Sequence, residues 1–318
     1  MVERGVPAHS LVGSTFAGKY RVVQHLRSGG IAHVYLAEML TLRPGPIAAG
    51  PALARGGEIA RAGRAARVAL KVLRDELHRD AGMVRRFERG ALAAARIDHP
   101  NVVRVGALER LPGGAPFCTL ELLIGLDLAD TLAYSGRMEP SRAVHIAEGA
   151  AAGLAAAHAA GVVHLDVKPE NVFLVHQADG RELVKILDFG LASLAGERGG
   201  ASRVEAACST PEYMAPEQRR GVAPSPAMDV YALGVVLHEM LVGHPPDGTS
   251  GVRSSSPRDS FSAAALQDVP PRLGLVLERA LAREPEHRFA SMEELRAALL
   301  AALLPVNAGP RASISGAK

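Results

Sequence analysis

The fold is decided by one stretch of the chain, His164-Leu165-Asp166-Val167-Lys168-Pro169-Glu170-Asn171. This stretch places a carboxylate, an ammonium group and an amide at short, fixed offsets. A helix-like run ends just before it at Gly161, and a short apolar run follows it at residues 172–175. A second polar motif, Asp188-Phe189-Gly190, comes after the strand-like segment at residues 183–187. Together the two motifs offer a proton acceptor, a cation and two oxygen ligands for a hard metal ion.

These two motifs resemble the catalytic loop and the metal-binding loop of the protein kinase family. The family pattern is His-Arg-Asp, then asparagine five residues after the aspartate, then Asp-Phe-Gly, and here Leu165 replaces the arginine. Lys168, two places after the aspartate, is typical of the serine/threonine type. An isolated His-x-Asp would more often be a chance polar loop between strands, but both motifs at this spacing outweigh that interpretation.

The resemblance implies an α+β, bilobal protein-kinase-like fold, in which a small antiparallel β-sheet lobe with one main helix joins a larger, mostly helical lobe. It also implies a role for each polar residue of the two loops. Asp166 would be the catalytic base, and Lys168 would stabilise the charge of the transferring phosphoryl group. Asn171 and Asp188 would hold Mg²⁺, with Mn²⁺ as the alternative cation. The implied reaction is transfer of the γ-phosphoryl group of ATP to serine or threonine hydroxyls of protein substrates.

Upstream, two strand-like runs flank the pair Gly29-Gly30 and indicate a β-hairpin. Alone, this pattern would more often be an ordinary β-turn than a phosphate-binding loop. Because it precedes Val68-Ala69-Leu70-Lys71, it resembles the glycine-rich loop of kinases and the strand lysine that contacts the α- and β-phosphates. Arg27 and Ala32 occupy the first and third glycine places of the family pattern, so we expect a stiffer loop and weaker ATP binding.

The resemblance implies an ATP site that draws on both lobes. Lys71 would fix the phosphates, and Leu120 would be the gatekeeper of the hinge between the lobes. The backbone of Glu121 and Leu123 would bond adenine, and Asp127 would meet the ribose. The expected ATP-binding residues are Lys71, Leu26, Gly29, Gly30, Val34, Ala69, Glu121, Leu123, Asp127 and Phe173. The apolar members of this set are equally expected in an ordinary core.

A helix is predicted from about residue 81 to residue 97, because apolar residues recur there at helical spacing. In the family, this helix carries the glutamate that pairs with the strand lysine. Here the segment Arg86-Phe87-Glu88-Arg89-Gly90-Ala91 places Gly90 at that position. Glu88 lies about 200° round the helix from it and cannot simply replace the missing acid. Gly90 is the most serious departure from the family, and it predicts a weak or partner-dependent enzyme.

Residues 191–207 are polar and carry glycines, which is typical of an activation segment. Ser193 and Ser202 are candidate phosphorylation sites in it, and the hydroxyl of Thr210 is expected to contact the catalytic base and lysine. Residues 209–217 resemble the block that shapes the peptide-substrate groove of protein kinases.

Three further features are expected to belong to the scaffold. A long alanine-rich helix is predicted at about residues 140–160, capped by Ser141 or a neighbour. Asp229 is expected to hold the backbone of the catalytic loop. Arg288 is expected to form an ion pair with Glu217.

The composition indicates a globular protein whose main partner is not a nucleic acid. Of the 318 residues, 48% are hydrophobic and 22% are charged, and the net charge of +3 is spread rather than clustered. Two cysteines are too few for a disulfide framework, which favours a reducing compartment. No segment reaches the roughly 18 to 20 apolar residues of a membrane span, and the N-terminus lacks the apolar core of a signal peptide. We therefore expect a cytoplasmic protein with no membrane span.

The expected domain organisation follows from these assignments. It comprises a flexible leader at residues 1–18, a kinase N-lobe at 19–121 with a Gly/Ala/Pro/Arg-rich insertion at about 43–66, a kinase C-lobe at 122–304 and a disordered tail at 305–318. Loops as long as the insertion are normally disordered or functional. Its arginines are suited to an acidic partner, although a solvated basic loop is the simpler interpretation.

Two alternatives to an active protein kinase stay open at the level of sequence. One is a pseudokinase that binds partners or nucleotide without turnover. The four departures from the family pattern favour it, and the complete set of strand lysine, base and metal ligands opposes it. The other is a small-molecule phosphotransferase of the same fold, which the block at residues 209–217 opposes. The sequence does not indicate the substrate protein, the upstream signal or the oligomeric state.

Overall fold

The structure is a computed structural model that describes residues 11–40, 66–189, 193–194, 210–246 and 269–304. Ser202, most of the expected insertion and the expected tail lie outside these residues. Within them, an antiparallel sheet lobe and a mainly helical lobe meet at the connection formed by residues 122–124.

Six strands form the antiparallel sheet of the small lobe. They are β1 (Thr15–Phe16), β2 (Tyr20–Ser28), β3 (Ala32–Met39), β4 (Arg67–Leu73), β5 (Val105–Arg110) and β6 (Pro116–Glu121). Their spatial order is β1-β2-β3-β4-β6-β5. Alternate side chains of a strand point to the same face of its sheet, and Tyr35, Leu70 and Phe117 are fully buried in the core of this lobe.

The first described residues of the small lobe correct the expected leader. The sequence predicts a flexible segment over residues 1–18, but β1 pairs with β2 and holds residues 15–16 in the sheet. Phe16 is buried and packs against Phe117 with ring centroids 6.3 Å apart. Burial of such a side chain contributes about 1.5–3 kcal/mol, which offsets the entropy lost on ordering. Residues 11–18 therefore belong to the small lobe.

The helix α1 (Ala81–Ala94) packs on the sheet of the small lobe. Asp80 caps this helix, and its carboxylate accepts hydrogen bonds from two amides of the first turn. Phe87 and Ala91 are buried on the face that meets the sheet. The sequence predicts the helix to residue 97, but residues 96–97 bond to carbonyls three residues back, as in a tightened helix end.

The large lobe is built from helices and short strands. Its helices are α2 (Leu128–Ser135), α3 (Pro140–Ala159), α4 (Pro216–Arg219), α5 (Pro226–Val242), α6 (Pro271–Ala280) and α7 (Met292–Ala302). Its strands are β7 (Gly125–Asp127), β8 (Val162–Val163), β9 (Val172–His176), β10 (Glu182–Ile186) and β11 (Ser193–Leu194). An antiparallel sheet has the order β10-β9-β7, and β8 pairs with β11.

The alanine-rich helix α3 lies close against β10, and glycine is needed at two positions for this approach. A Cβ at Gly149 would lie 2.8 Å from the Cβ of Val184 in β10. A Cβ at Gly153 would lie 2.5 Å from the backbone oxygen of Asn101. This tight packing sets the position of the strand that leads into the metal-binding loop.

The helix α5 is the central element of the large-lobe core, where it contacts α3, α6 and α7. A helix that is apolar all round is expected where every face is covered. Proline opens both α3 and α5, and neither helix has a side-chain cap, so the predicted cap of α3 at Ser141 or a neighbour is wrong. Proline suits this position because it has no amide hydrogen to satisfy. Among the helices that the structure describes, none combines the length and apolar composition that a bilayer crossing requires.

Candidate active site

A cleft of about 390 Å³ separates the two lobes. Its small-lobe wall comprises the hairpin turn at residues 28–32 together with parts of β4 and α1. Its large-lobe wall comprises the catalytic loop and the metal-binding loop. The residues predicted for the site that line this cleft are Gly29, Gly30, Val34, Lys71, Leu120, Asp166, Lys168, Asn171 and Asp188. The fold thus brings together the predicted base, metal ligands and phosphate-side residues from distant segments.

Six residues predicted to bind ATP are not on the wall of this cleft. They are Leu26, Ala69, Glu121, Leu123, Asp127 and Phe173. Ala69 is buried in β4 opposite Leu120, and Phe173 is half-buried in β9. Leu123 is half-buried in the connection between the lobes, and Leu26 is exposed on β2. The assignment of these residues to the ATP site stays a prediction.

The catalytic loop gathers its polar groups around Asp166. The Nζ atom of Lys168 lies 3.1 Å from Asp166 Oδ2 and 3.4 Å from the hydroxyl oxygen of Thr210. The side-chain amide of Asn171 donates to the Asp166 carbonyl at 2.8 Å and to its Oδ2 at 3.2 Å. A hydroxyl that arrives beside Thr210 would therefore meet a carboxylate whose orientation two neighbours fix.

Burial raises the pKa of the Asp166 carboxyl above its ordinary value. The positive charge of Lys168 opposes part of this increase, because it favours the ionised carboxylate. A general base works best when its pKa approaches the pH at which it operates. The surroundings of Asp166 therefore favour the acceptance of a proton from an acceptor hydroxyl.

The buried carboxylate of Asp229 holds the backbone that precedes the base, as the sequence predicts. Its Oδ2 accepts the amide of His164 and its Oδ1 accepts the amide of Leu165, both at 2.8 Å. The Nε2 atom of His158 lies 2.8 Å from Oδ2. Leu165 has a φ of +66°, a left-handed conformation that costs a non-glycine residue about 1–2 kcal/mol. The bonds to Asp229 stabilise this turn of the loop.

His164 connects the catalytic loop to the metal-binding loop. Its Nδ1 accepts the amide of Asp166 at 3.2 Å, and its Nε2 lies 2.9 Å from the carbonyl oxygen of Leu187. Because an amide donates and a carbonyl accepts, these partners assign the neutral ring with its hydrogen on Nε2. The ring packs on Phe189 with a centroid distance of 4.6 Å. His164 therefore fixes Asp166, the predicted base, relative to the loop that carries Asp188.

The strand lysine, Lys71, pairs with the aspartate of the metal-binding loop. Its Nζ lies 2.6 Å from Asp188 Oδ1. Gly90 lines the cleft on α1 and offers no carboxylate there. Glu88, the nearest acid on the helix, pairs instead with Arg110. Glu88 thus does not replace the missing glutamate, and the large lobe supplies the partner of Lys71.

A partly buried ion pair at the hinge was not found by sequence reasoning. Lys185 of β10 is 7% exposed, and its Nζ lies 2.7 Å from Oε1 of Glu121 at the end of β6. The same oxygen accepts the amide of Arg104 at 2.8 Å. The available signal was the lysine itself, a charged residue within the strand-like run at residues 183–187. This pair ties the hinge to the strand before the metal-binding loop.

A second ion pair that sequence reasoning missed joins the lobes beside the cleft. The guanidinium of Arg27 bonds to Oδ2 of Asp127. The Oδ1 of Asp127 accepts the amide of Asp130 at 2.8 Å, so both carboxylate oxygens are engaged. The sequence predicts Asp127 as the ribose partner, but here Arg27 occupies that carboxylate.

Arg288 and Glu217 form the predicted ion pair beneath the substrate block. Their two N–O distances are 2.6 Å and 2.8 Å, and both side chains are buried. Gln218 donates to the carbonyl oxygen of Leu165 at 2.8 Å. These bonds hold the block at residues 210–217 against the catalytic loop.

Asn171 and Asp188 suit a magnesium ion that is bound together with phosphates. Because the amide nitrogen of Asn171 donates to Asp166, the amide oxygen is directed away from that carboxylate. Within the described ranges, no group of three or more His, Cys, Asp or Glu side chains is suited to a metal ion. Mg²⁺ is usually held by one or two protein groups plus substrate phosphates and water. A pair of oxygen ligands in the cleft fits that pattern.

The two lobes and the cleft between them define a protein of the kinase class, and comparisons with known proteins agree. The protein kinase domain family matches residues 57–314. The chain is 34% identical over 307 residues to the serine/threonine-protein kinase pkn3 of Myxococcus xanthus, which covers 91% of this chain and 51% of that protein. It is 32% identical over 296 residues to PknB of Mycobacterium tuberculosis H37Rv, which covers 90% of this chain and 43% of that protein.

Among solved structures, the chain is similar to the PknI kinase domain of Mycobacterium tuberculosis. The TM-score is 0.66 at 27% sequence identity, and the match covers 91% of this chain and 98% of that structure. The chain therefore belongs to the protein kinase family, and its relatives are bacterial serine/threonine protein kinases. The predicted family and the predicted bilobal fold are confirmed. The chain spans about half the length, or less, of these curated relatives.

Proposed function

We propose that the chain is a serine/threonine protein kinase, which transfers the γ-phosphoryl group of ATP to protein hydroxyls. The observation that carries this proposal is the convergence of Asp166 and Lys168 in one cleft with Lys71 and Asp188. The hydroxyl of Thr210 lies beside this group, 3.4 Å from the Nζ atom of Lys168. Membership of the kinase family supports the phosphoryl-transfer chemistry. Similarity to proteins named as serine/threonine kinases supports the choice of acceptor.

The proposed chemical step is an in-line displacement at the γ-phosphorus of ATP. The acceptor oxygen forms a bond to phosphorus while its proton passes to Asp166, and the bond between phosphorus and the bridging oxygen of ADP breaks. The Lys168 ammonium, 3.1 Å from the Asp166 carboxylate, is placed to stabilise charge on the transferring group. The products are ADP and a phosphoserine or phosphothreonine.

The proposed nucleotide site uses groups from both walls of the cleft. Lys71 would bind the α- and β-phosphates, and Asn171 and Asp188 would hold the cation, with Mn²⁺ as the alternative to Mg²⁺. When bound, the cation would neutralise charge on the phosphates. Because Lys71 pairs with Asp188 at 2.6 Å, the lysine and the cation would share that carboxylate. The hinge backbone at Glu121 and Leu123 would bond adenine.

The proposed partners are protein substrates with serine or threonine side chains, and the proposed compartment is the cytoplasm, where ATP is available.

Cys118 is a free thiol in the small-lobe core. Burial raises its pKa to about 12, which keeps it protonated and unreactive.

The test of the proposed function is a phosphotransfer assay with Mg²⁺ and labelled ATP. Incorporation is scored on the chain itself and on a generic basic protein, and the labelled residues are identified. We expect wild type to label serine or threonine, and Asp166→Asn to reduce the rate by about 10²–10⁴ while nucleotide binding persists. Asp188→Ala should lose both transfer and the Mg²⁺-dependent part of ATP binding.

Asp179→Asn is the matched control, because Asp179 is an exposed carboxylate that pairs with Arg181 away from the cleft. It should keep wild-type activity. Wild-type incorporation by Asp166→Asn and Asp188→Ala would mean that a contaminant produced the signal. ATP binding without any transfer by wild type would instead favour the pseudokinase alternative.

A further inference from the structure

The ion pair between Arg27 and Asp127 joins the two lobes beside the cleft that Arg27 lines. Arg27 belongs to β2 of the small lobe, and Asp127 ends β7 of the large lobe, 100 residues further along the chain. The pairing of β2 with β3 shifts register between His25 and Arg27, and such bulges redirect side chains. Arg27 lines the cleft, and its guanidinium contacts Asp127 of the opposite lobe.

The two partners differ strongly in exposure. The side chain of Arg27 is 49% exposed, whereas that of Asp127 is 1% exposed. One oxygen of Asp127 caps α2 through the amide of Asp130 at 2.8 Å, and the other pairs with Arg27. A buried carboxylate needs such partners because its removal from water is costly. A group that displaces Arg27 must therefore donate hydrogen bonds to Asp127 in its place.

The position of this pair indicates which part of a nucleotide can displace Arg27. Asp127 follows the hinge connection at residues 122–124 closely, whereas Lys71 and Asp188 mark the phosphate end of the proposed site. The ribose lies between the base and the phosphates of a nucleotide. Its hydroxyls can donate to a carboxylate, whereas phosphates are repelled by one. Ribose hydroxyls are thus the groups suited to replace the guanidinium on Asp127.

We propose that Arg27 is a specificity-determining residue that closes the ribose end of the nucleotide site, so that ribose hydroxyls and the guanidinium compete for Asp127. The inference rests on the nucleotide-dependent function proposed above. Nucleotide gains the contact with Asp127 only when the ion pair is open, and its apparent Kd rises as the open fraction falls. A pair that is closed about 90% of the time raises Kd about tenfold, or about 1.4 kcal/mol. A ligand without ribose hydroxyls cannot bond to Asp127, so its Kd should not depend on whether the ion pair is open.

The test measures the Mg²⁺-dependent binding of ADP and of 2′,3′-dideoxyADP by titration calorimetry. ADP has no γ-phosphate, so the result does not depend on phosphoryl transfer. Wild type is compared with Arg27→Gln, which removes the charge, and with Arg27→Lys, which keeps it. Arg21→Gln is the matched control, because Arg21 lies on the same strand and pairs with Glu38 at 2.5 Å.

Arg27→Gln should lower the Kd of ADP about tenfold and that of dideoxyADP by less than about twofold. Arg27→Lys should fall between wild type and Arg27→Gln for ADP. Arg21→Gln should change neither Kd. In an Asp127→Asn background, Arg27→Gln should change the Kd of ADP by less than about twofold. The asparagine keeps an acceptor for the amide of Asp130 but not the charge that holds Arg27.

Three results would overturn the inference, provided that thermal denaturation shows each variant to be folded. Equal gains for both ligands would mean that Arg27 only obstructs the cleft. Weaker ADP binding by Arg27→Gln would mean that the guanidinium holds the nucleotide. No ADP binding by wild type or Arg27→Gln would mean that no nucleotide reaches Asp127. The phosphotransfer assay judges the kinase function separately, since the ADP measurements give the same result in an inactive protein.

Discussion

The two walls of the cleft hold their charged groups in different ways. On the large-lobe wall, the base lies on a loop whose backbone bonds to the buried Asp229 and to His164 at 2.8–3.2 Å. On the small-lobe wall, Lys71 and Arg27 form ion pairs with carboxylates of the opposite lobe. The large-lobe wall is thus held by hydrogen bonds within its own lobe, whereas the charged groups of the small-lobe wall depend on ion pairs with the opposite lobe.

This difference follows the departures from the family pattern. The large-lobe wall departs from it at Leu165, where the backbone makes the bonds that hold the loop. The small-lobe wall departs from it at Arg27, Ala32 and Gly90, which are positions that contact or support nucleotide in the family. Under the proposed function, different walls of the cleft carry the chemistry of transfer and the positioning of nucleotide, so substitutions should affect the two separately.

The largest effect is expected from removing the hydrogen bonds that hold the large-lobe wall. Asp229→Ala removes the acceptor of the buried His164 amide, of the half-buried Leu165 amide and of His158. Each buried donor left unsatisfied costs about 1–3 kcal/mol, so we expect a loss of about 3 kcal/mol or more in the free energy of unfolding. Urea denaturation measures this loss, and phosphotransfer should fall with it. Asp229→Asn keeps one acceptor and should lose less.

Asp98→Ala is the control for Asp229→Ala, because Asp98 is exposed. It should change the free energy of unfolding by less than about 0.5 kcal/mol. A loss below about 1 kcal/mol in Asp229→Ala would contradict the role assigned to these bonds.

The next largest effect is expected from an acid at position 90 of the small-lobe wall. Gly90 lines the cleft with Lys71. A glutamate at this position would form an ion pair with Lys71 in place of Asp188, which leaves the Asp188 carboxylate to bind the cation. We expect Gly90→Glu to raise kcat/KM for ATP about tenfold, which corresponds to about 1.4 kcal/mol. Steady-state kinetics measure the change, with Gly90→Gln and Gly90→Ala as controls for size and helix propensity. An unchanged or lower kcat/KM in folded Gly90→Glu would mean that Lys71 is already well placed.

The pH dependence of transfer should report the environment of Asp166. Burial raises the pKa of this carboxyl above the ordinary 3.8, so it stays protonated, and unable to act as a base, up to a higher pH. Activity should therefore fall on acidification with a midpoint above that value. Lys168→Met removes a charge that lowers this pKa, so the acid limb of its residual activity should move to higher pH. Initial rates across the pH range measure the acid limb of wild type and that of Lys168→Met. An acid limb of Lys168→Met that stays at the same pH or moves to lower pH would count against this assignment.

The smallest effect is expected from phosphorylation of the activation segment. In many kinases, the arginine before the catalytic aspartate binds the phosphate of this segment, and Leu165 cannot form such bonds. The double variant Ser193→Ala/Ser202→Ala should lose less than about tenfold in activity, or about 1.4 kcal/mol. Activity is compared with that of wild type before and after phosphatase treatment. A larger loss would reveal another site that binds the phosphate.

The sequence predicted that the polar residues of the catalytic loop lie together, because the loop is local. Asp166, Lys168 and Asn171 lie within six residues, so their spacing alone restricts the chemistry. The structure places them within bonding distance of one another. Comparison with relatives confirms the family and the fold that this loop implied. The roles of the individual residues stay predictions that the proposed variants test.

Local sequence patterns could not predict two of the ion pairs that cross the structure. Arg27 and Asp127 are 100 residues apart, and Lys185 and Glu121 are 64 residues apart. No periodicity links such partners, because only tertiary packing brings them together. The same holds for Phe16, whose burial depends on a sheet that later strands complete. Long-range charge pairing and packing are thus the parts of this molecule that local patterns leave open.

The central claim is that the large lobe already holds the groups for phosphoryl transfer, whereas Arg27 and Gly90 of the small lobe weaken the binding of nucleotide. Substitution of these two residues should therefore change kcat/KM for ATP more than kcat. The most direct measurement compares kcat and kcat/KM for ATP between wild type and the Arg27→Gln/Gly90→Glu double variant on one protein substrate. We predict that kcat/KM rises by about tenfold or more while kcat changes by less than about twofold. A rise in kcat equal to that in kcat/KM, or no change in either, would contradict this division of roles between the two walls.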